Sequence, residues 1–374
     1  MKVLHVMQTL KGGGAETLVR ELVPRLRQRG IDANALCAYD SRLNPVERES
    51  IGGRILEARK RKGFDAGFIF RMRGIIAHER PDIVHTHTIT GKYWGRIAAV
   101  AAGVPHIVHT EHCPKIQIRL VEHLVTRPLV PFTETYVTFS ERNAAFVRKR
   151  EITPQLTIIP NGIAVSPSPT EVLRRAARVK LGRNSGELRV GIVGSLVPKK
   201  NPELALRALA LVPESFRNTI RLDFLGVGGL VEELRRLAQE LGLADRVTFH
   251  GFRSDVRELL PGLNLLLTVA FIEAAPISLL EAMAAAIPII GTPHDGTLDM
   301  VVDDETGLIT RDWSPSAVAE ALIRAAQDPV WRESAGMAGR TRLERYFDIE
   351  TVADRHAELY WSLVNKKPSL ASIA

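Results

Sequence analysis

Two glutamates, Glu273 and Glu281, are separated by seven residues in the stretch of the chain that is richest in chemical signals. Glu273 follows an apolar run, residues 263–270, that is typical of a buried strand, and Glu281 falls within a run of good helix formers. Ligands bind at the carboxyl edge of the strands in open α/β sheets, where Glu273 is predicted to lie. The two carboxylates could form an acid and base pair, accept hydrogen bonds from a polyhydroxylated ligand, or belong to a solvated helix face. The spacing alone does not choose among these interpretations.

Two glycine turns have the composition of anion-binding sites. Residues 12–14 are three glycines between a predicted strand and a predicted helix, an arrangement that presents backbone N–H groups to an anion. The dinucleotide fingerprint fits poorly there, because its third glycine would fall on Thr17. Further along, a predicted strand runs into Gly194 and Ser195 and is followed by Lys199 and Lys200, which predicts a diphosphate cradle.

Four histidines lie at the ends of two predicted strands: His85, His87, His109 and His112. Histidines in this number invite a metal interpretation, but the spacing implies no ligand geometry. The alternative is that one or two of them line a cleft, while His85 and His87 serve as packing or edge residues.

The Glu-x7-Glu spacing, continued by Ala-Met-Ala and by Pro288, resembles the donor-site signature of the retaining GT-B glycosyltransferases of glycosyltransferase family 4. Pro160-Asn161-Gly162 and Lys200 support the resemblance, which extends from the glycine loop to the last helix. In that family the first glutamate contacts the donor sugar and the second contacts the nucleotide ribose.

The resemblance implies a set of site residues. The implied catalytic residues are Glu273, His112 and Lys200, with His112 matching the active-site histidine of the family and His109 as the alternative. The implied donor-binding residues are Gly13, Gly14, Ser195, Lys200, Gly228, Phe252, Glu273, Ala274, Ala275, Pro276, Ile277 and Glu281. Glu16, His109 and His112 are expected on the acceptor side, and neither a metal nor another cofactor is expected.

Three positions depart from the pattern of the family. Ser195 stands where the family carries an arginine that contacts the diphosphate. One charge-assisted contact, which typically contributes about 1.5–3 kcal/mol, is therefore missing. Lys199 and Arg253 are the candidates to replace it. Ala274 and Ala286 stand where the family has glycines, and Ala274 could crowd the backbone near the sugar.

Strands and helices alternate throughout the 374 residues, which predicts an α/β fold with doubly wound parallel sheets. The resemblance implies the GT-B architecture, in which two Rossmann-like domains face each other across a cleft. We expect an acceptor-binding domain at 1–165, completed by a C-terminal helix at about 349–366. A linker at 166–187 and a donor-binding domain at 188–348 would account for the remainder.

The net charge of +8 is concentrated in the first part of the chain. Residues 1–150 carry 25 Lys and Arg against 14 Asp and Glu, an excess of 11 positive charges, whereas the remainder carries 25 against 28. One dense basic segment, Arg54 to Arg73, is interleaved with Phe64, Phe68, Ile69, Phe70 and Met72. This composition suits an anionic membrane surface, although a solvated helix with a core face is the competing interpretation. No nucleic-acid-binding motif is present.

The chain shows neither an apolar run of membrane-spanning length nor a signal-peptide pattern, and its two cysteines make no disulfide framework. We therefore expect a cytoplasmic protein, peripheral on the inner face of the membrane. The expected activity is that of a retaining, metal-independent hexosyltransferase. It would move a sugar from a UDP- or GDP-linked donor to a saccharide or lipid-linked acceptor in cell-surface polysaccharide or glycolipid synthesis. The alternatives are a catalytically silent nucleotide-sugar-binding protein and a nucleotide-sugar 2-epimerase.

Overall fold

A computed structural model describes residues 1–63, 65, 67–112, 124, 126–149, 155–182 and 186–365. The chain divides into two compact units. Unit 1 comprises Met1–Ala164 together with Asp348–Ala374, and unit 2 comprises Val165–Phe347. These limits fall within one residue of the predicted ends at 165 and 348.

The described part of unit 1 is built on a parallel sheet with the strand order β3-β2-β1-β4-β5-β6-β7. Its strands are β1 (Lys2–Met7), β2 (Asp32–Cys37), β3 (Ile55–Glu57), β4 (Ile83–His87), β5 (His106–Thr110), β6 (Thr135–Thr138) and β7 (Leu156–Ile158). Its helices include α1 (Gly14–Gln28), α2 (Pro45–Ile51), α3 (Phe68–Glu79), α4 (Thr88–Thr90), α5 (Arg96–Ala101) and α6 (Glu141–Arg148). A π-helical turn, Gly91–Gly95, joins α4 to α5. The central strands are buried along most of their length, as expected for a parallel sheet with helices on both faces.

Unit 2 has a parallel sheet with the strand order β10-β9-β8-β11-β12-β13. Its strands are β8 (Leu188–Val193), β9 (Ile220–Leu225), β10 (Val247–Gly251), β11 (Leu265–Thr268), β12 (Ile289–Gly291) and β13 (Gly307–Ile309). Its α-helices are α7 (Glu171–Lys180), α8 (Glu203–Leu211), α9 (Glu214–Arg217), α10 (Val231–Glu240), α11 (Val256–Leu259), α12 (Ile277–Ala284), α13 (Asp295–Met300), α14 (Pro315–Gln327) and α15 (Pro329–Tyr346).

Both sheets reverse their strand order at one point. The reversal lies between β1 and β4 in unit 1 and between β8 and β11 in unit 2. In a doubly wound sheet such a switch point opens a crevice at the carboxyl ends of the strands, where ligands bind. The fold thus confirms the predicted class of two doubly wound α/β units and marks one candidate binding edge in each.

The last helix, α16 (Ile349–Asn365), belongs to unit 1. It packs its buried face, which includes Val352, His356 and Tyr360, onto the core of that unit. Arg25 of helix α1 and Arg29, the residue that follows this helix, pair with Glu350 in the first turn of α16. Lys366, the last residue of the predicted helix, lies outside the described residues.

The segment predicted as a linker, 166–187, packs in its described part against the rest of unit 2. Helix α7 packs so closely on the turn at Leu260–Gly262 that a Cβ at Gly262 would lie 2.8 Å from the carbonyl carbon of Ala177. The guanidinium of Arg340 also donates a hydrogen bond to the carbonyl of Ser166. The charged helix therefore forms part of unit 2.

The basic segment at 54–73 is partly neutralised by ion pairs. Arg54 pairs with Glu79, and Arg71 lies 2.7 Å from Asp65, whose pKa its hydrogen bond lowers to about 2. Phe68 is buried in the core, whereas Phe70 is 72% exposed, and Phe64 lies outside the described residues. None of the described helices combines the length and apolar composition that crossing a membrane requires.

Candidate active site

The turn after β8 is fixed by close backbone packing between two glycine turns. Gly194 has a φ of 137°, a conformation that favours glycine, and its N–H donates to the carbonyl of Leu225 at 3.1 Å. A Cβ at Gly226 would lie 1.9 Å from the Gly194 carbonyl oxygen, and one at Gly228 would lie 2.1 Å from that of Leu196. The predicted donor residue Gly228 therefore shapes the turn that carries Ser195.

The side chains of Lys200 and Glu273 form an ion pair at the switch point of unit 2. Lys200 ends the 3-10 turn Pro198–Lys200 after β8, and Glu273 lies in the loop after β11. The N–H of Phe271 donates to the carbonyl of Lys199 at 3.0 Å, which ties the same two segments together through the backbone. Both charged side chains remain about one-fifth exposed, so a ligand can reach them.

A shallow pocket that is partly open to solvent lies beside this ion pair. Its lining comes from the end of β8 and the following turn, and from the end of β11 with its loop. The lining residues are Ile192, Val193, Gly194, Ser195, Leu196, Lys200, Pro202, Leu267, Thr268, Val269, Ala270 and Glu273. Three of the predicted donor-site residues, Ser195, Lys200 and Glu273, are therefore brought together.

The loop from Glu273 to the start of helix α12 contributes Glu273 to the pocket lining, whereas the other predicted donor residues of this loop, Ala274, Ala275, Pro276 and Ile277, do not line the pocket. The carbonyl of Glu273 accepts a hydrogen bond from the N–H of Gly296 at 2.8 Å. Gly296 packs against Pro276 so tightly that a Cβ there would lie 2.4 Å from the proline Cδ. Helix α12 begins at Ile277, and Pro276 gives its first turn no side-chain cap. The N–H groups of that turn carry a partial positive charge that favours an anionic or hydroxyl-rich ligand.

Glu281 and Phe252 do not line this pocket. Glu281 lies in helix α12 and accepts a hydrogen bond at 3.1 Å from Nε of Arg257. Phe252 directly follows β10 and is 62% exposed. The structure therefore brings together Ser195, Lys200 and Glu273, while the predicted ribose and base residues Glu281 and Phe252 lie outside that group.

The two cations proposed to replace the family arginine differ in their surroundings. Arg253 forms a bidentate pair with Asp255, at 2.8 and 2.7 Å, and this pair lowers the pKa of Asp255 to about 2. Lys199 is exposed, and its ammonium makes no ion pair with any residue that the structure describes. Of the two, Lys199 is therefore the cation available to a diphosphate near Ser195.

A buried group behind the pocket was missed by the sequence analysis. His294 accepts a hydrogen bond from the N–H of Thr297 at its Nδ1, so its Nε2 carries the proton and faces the hydroxyls of Thr268 and Thr297 at 3.1 and 2.9 Å. The hydroxyl of Thr292 and the indole of Trp313 both donate to the carbonyl of Ala270. These bonds hold the pocket edge of β11 in place, and only the polar loop after β12 hinted at them in the sequence.

In unit 1, the glycine loop after β1 leads directly into helix α1, which begins at Gly14. Gly12 has a φ of 116°, and the Glu16 carboxylate folds back so far that a Cβ at Gly13 would lie 2.4 Å from its Oε2. Burial raises the pKa of Glu16 above its ordinary value. A side chain at Gly13 would displace the carboxylate of Glu16. The observed position of Glu16 therefore depends on glycine at position 13.

The histidines at the ends of β4 and β5 separate into buried and accessible groups. His109 is 1% exposed, and its Nδ1 lies 2.9 Å from the hydroxyl of Thr86, so it contacts the core rather than a surface. His112 is partly exposed, and its Nε2 lies 3.2 Å from Nδ1 of His87. Of the two histidines predicted on the acceptor side, only His112 is accessible. His85 and His87 are fully buried and stack near His5, which the sequence analysis did not single out.

Comparison with known proteins assigns this pair of Rossmann-like units to a class. Residues 12–166 match the model of Glycosyltransferase Family 4, and residues 174–342 match that of Glycosyl transferases group 1. The chain belongs to these group 1 glycosyltransferases of family 4, and its fold is the GT-B fold.

Relatives are distant but match most of the chain. An Escherichia coli UDP-Gal:alpha-D-GlcNAc-diphosphoundecaprenol alpha-1,3-galactosyltransferase is 24% identical over 384 residues, covering 98% of each chain. The lipopolysaccharide glucosyltransferase WaaG of Escherichia coli K12 is 31% identical over 212 residues, 54% of this chain and 56% of WaaG. The crystal structure of Anabaena HepE in complex with UDP has a TM-score of 0.82 at 21% identity, covering 97% of this chain and 100% of HepE.

Proposed function

We propose that the protein is a retaining glycosyltransferase that takes a sugar from a nucleotide-diphospho-sugar. The observation that carries the proposal is the Lys200–Glu273 ion pair, which lies beside a glycine turn at the switch point of unit 2. In such a donor the diphosphate and the sugar are adjacent. The ammonium of Lys200 would bind the diphosphate, and the neighbouring carboxylate of Glu273 would accept hydrogen bonds from the sugar hydroxyls.

In this mechanism Lys200 and the amides of the Gly194 turn stabilise the diphosphate leaving group. This is electrostatic stabilisation of developing charge, usually the largest single contribution to catalysis. When the donor binds, Lys200 exchanges the Glu273 carboxylate for phosphate oxygens, and Glu273 is released to accept hydrogen bonds from the sugar. We propose that Lys200, with Lys199 in place of the family arginine, supplies the positive charge without a metal ion.

Glu281 is proposed to accept hydrogen bonds from the ribose, and the backbone near Phe252 is proposed to hold the base. Glu281 can do so without a large movement because it is partly exposed, although Arg257 contacts it. The base is proposed to be uracil, because the Escherichia coli relative uses UDP-Gal and HepE was crystallised with UDP. GDP-linked donors remain the alternative to be tested.

The acceptor is proposed to be a saccharide or lipid-linked saccharide that meets unit 1. The glycine loop, Glu16 and His112 are its candidate contacts. The excess of 11 positive charges in residues 1–150 supports an anionic acceptor and peripheral attachment to a membrane surface. The Escherichia coli relative is named for a diphosphoundecaprenol-linked acceptor, which also supports an anionic, lipid-linked acceptor for this protein. Such an acceptor supports a role in cell-surface polysaccharide or glycolipid assembly.

Transfer is tested with UDP- and GDP-sugars and a panel of undecaprenyl-diphosphate saccharides, with NMR of the anomeric proton in the product. An α-linked product from an α-linked donor supports retention, and a β-linked product contradicts it. Lys200→Ala is expected to abolish transfer, whereas Lys180→Ala is the matched control, because Lys180 forms an exposed ion pair with Glu258 on the same unit. An epimerised donor formed without acceptor would indicate a 2-epimerase instead.

A silent binding protein is the second candidate, and one observation favours it. Ser195 lines the pocket without the positive charge that the family arginine carries, so the cradle holds fewer charged contacts. Nucleotide-sugar binding with neither transfer nor slow donor hydrolysis would support this candidate.

A further inference from the structure

A line of three histidine rings connects His112 to the centre of the unit 1 sheet. Nε2 of His112 lies 3.2 Å from Nδ1 of His87, and Nε2 of His87 lies 3.0 Å from Nδ1 of His5. His87 and His5 are fully buried, on β4 and β1. The rings thus form a hydrogen-bonded chain from a partly exposed residue to a buried end.

The three rings are neutral at physiological pH. Burial lowers the pKa of His112 to about 4 and that of His5 to about 3, and it holds the pKa of His87 well below the ordinary value. A neutral imidazole has one N–H donor and one acceptor nitrogen. The proton positions in the chain are therefore coupled, and only two arrangements keep both hydrogen bonds.

The buried end of the chain distinguishes the two arrangements. Nε2 of His5 is buried and has no hydrogen-bond partner among the described residues. In one arrangement this nitrogen carries an unpaired N–H, and in the other it carries an unpaired acceptor lone pair. Orphaned buried N–H groups are rarer than under-satisfied acceptors. This difference favours the arrangement in which His5 donates from Nδ1 to Nε2 of His87, and His87 donates from Nδ1 to Nε2 of His112.

We propose that His87 and His5 are positioning residues that orient His112 and keep its proton on Nδ1. His112 then presents a hydrogen-bond donor to a substrate oxygen, since its Nδ1 has no partner among the described residues. The use of this donor in catalysis rests on the proposed function, whereas the chain and its proton positions do not.

The same region contains a possible set of metal ligands, but its hydrogen bonds already use those atoms. Ligand nitrogens of His5, His85 and His87 lie within 4.8 Å of one another. The two nitrogens of His85 lie 2.6 Å from the hydroxyl of Tyr360 and 2.7 Å from that of Thr110, and both nitrogens of His87 belong to the chain. A divalent ion would have to break these bonds and bring two charges into a buried site. Hydrogen bonding explains the cluster more fully.

Protein with ring-¹⁵N-labelled histidine tests the proton positions by NMR, with His112→Gln used to assign the His112 signal. We expect the Nδ1–H form of His112 in the wild type and a loss of that preference in His87→Leu. His87→Asn is expected to restore it, because the asparagine N–H can replace the donor at Nδ1. His356→Leu is the matched control, because His356 is buried beside His85 but lies outside the chain.

Transfer activity gives the second readout. His87→Leu is expected to lower turnover roughly tenfold, the equivalent of one lost hydrogen bond. His87→Asn should recover most of the lost turnover. In the double variant, the losses of turnover caused by His87→Leu and His112→Gln should not add. The proposal is overturned by an Nε2–H form of His112 in the wild type or by an equal effect of His356→Leu. A shift of the His5, His85 and His87 signals on adding one equivalent of Zn²⁺ would also overturn it. Failure of the proposed function would instead appear as no transfer in any variant, with the NMR result unchanged.

Discussion

The ammonium group of Lys200 pairs with the carboxylate of Glu273, joining the turn after the first strand of unit 2 to the loop after its fourth. Two residues 73 positions apart thus occupy the two sides of the switch point. In the proposed function, the cation binds a phosphate oxygen and the carboxylate accepts a hydrogen bond from a sugar hydroxyl. Because both side chains are partly exposed, the pair is expected to contribute more to donor binding than to stability.

Removal of the Lys200 charge is expected to weaken donor binding. Lys200→Met should raise the Kd for the nucleotide-sugar about tenfold to 100-fold, because a charge-assisted hydrogen bond contributes about 1.5–3 kcal/mol. Isothermal titration calorimetry measures the change. Lys180→Met, on the exposed face of helix α7, is expected to leave the Kd unchanged. Equal losses in both variants would refute a specific role for Lys200.

Restoring the missing arginine is expected to strengthen donor binding. Ser195→Arg places a second cation beside the pocket and should lower the Kd about tenfold or more. Lys199→Ala should weaken binding in the wild type but have less effect in Ser195→Arg, because the new arginine takes over its contact. An unchanged Kd in Ser195→Arg would show that the diphosphate lies elsewhere. Ser195→Ala serves as the control for loss of the hydroxyl.

Ala286 is strained, because its φ of 53° lies in the left-handed region. Ala286→Gly is expected to stabilise unit 2 by about 0.5–1 kcal/mol, since a residue with a Cβ is disfavoured there. The neighbouring Ala285 has a φ of −80°, so Ala285→Gly is expected to destabilise by a similar amount. Urea unfolding curves compare the two variants. A loss of stability in both would mean that the buried methyl group of Ala286 matters more than its backbone strain.

The histidine cluster predicts a loss of stability in acid. Burial lowers the pKa of His356 to about 4, as it does for His112, against an ordinary value of 6.5. Between pH 6.5 and 4 the unfolded chain binds protons that the folded unit does not. The free energy of unfolding is therefore fully retained above pH 6.5 and falls as the pH decreases toward 4.

Urea unfolding between pH 7.5 and 4.5 measures this dependence. His356→Leu should reduce its slope, because one fewer buried histidine takes up a proton on unfolding. A slope identical to that of the wild type would contradict the assignment of acid sensitivity to this cluster.

The fold could be predicted from the sequence because its strands are short apolar runs with glycine turns and helices between them. The same logic placed Lys200 and Glu273 at strand ends, and parallel strands bring such ends to one edge. The charged sequence of helix α7, which falls in the predicted linker, does not reveal that Ala177 packs against Gly262.

The histidine chain could not be predicted because it depends on the register of two strands. His5 pairs with His85 between β1 and β4, and only this pairing brings the ring of His87 to Nδ1 of His5. A single histidine in an apolar first strand gives no sign of its partners. The sequence showed that Ala286 replaces a glycine of the family, but it did not show that the backbone at Ala286 keeps a left-handed conformation.

Thermal-shift measurement with UDP, GDP, ADP and their sugars, on the wild type and Glu281→Ala, tests the central claim most directly. A nucleotide at about 100 times its Kd should add about 2.7 kcal/mol to the free energy of unfolding. We predict stabilisation by UDP and UDP-sugars that is lost or strongly reduced in Glu281→Ala. No shift with any nucleotide would contradict a functional donor site in unit 2, and an equal shift in Glu281→Ala would contradict the role of Glu281 at the ribose.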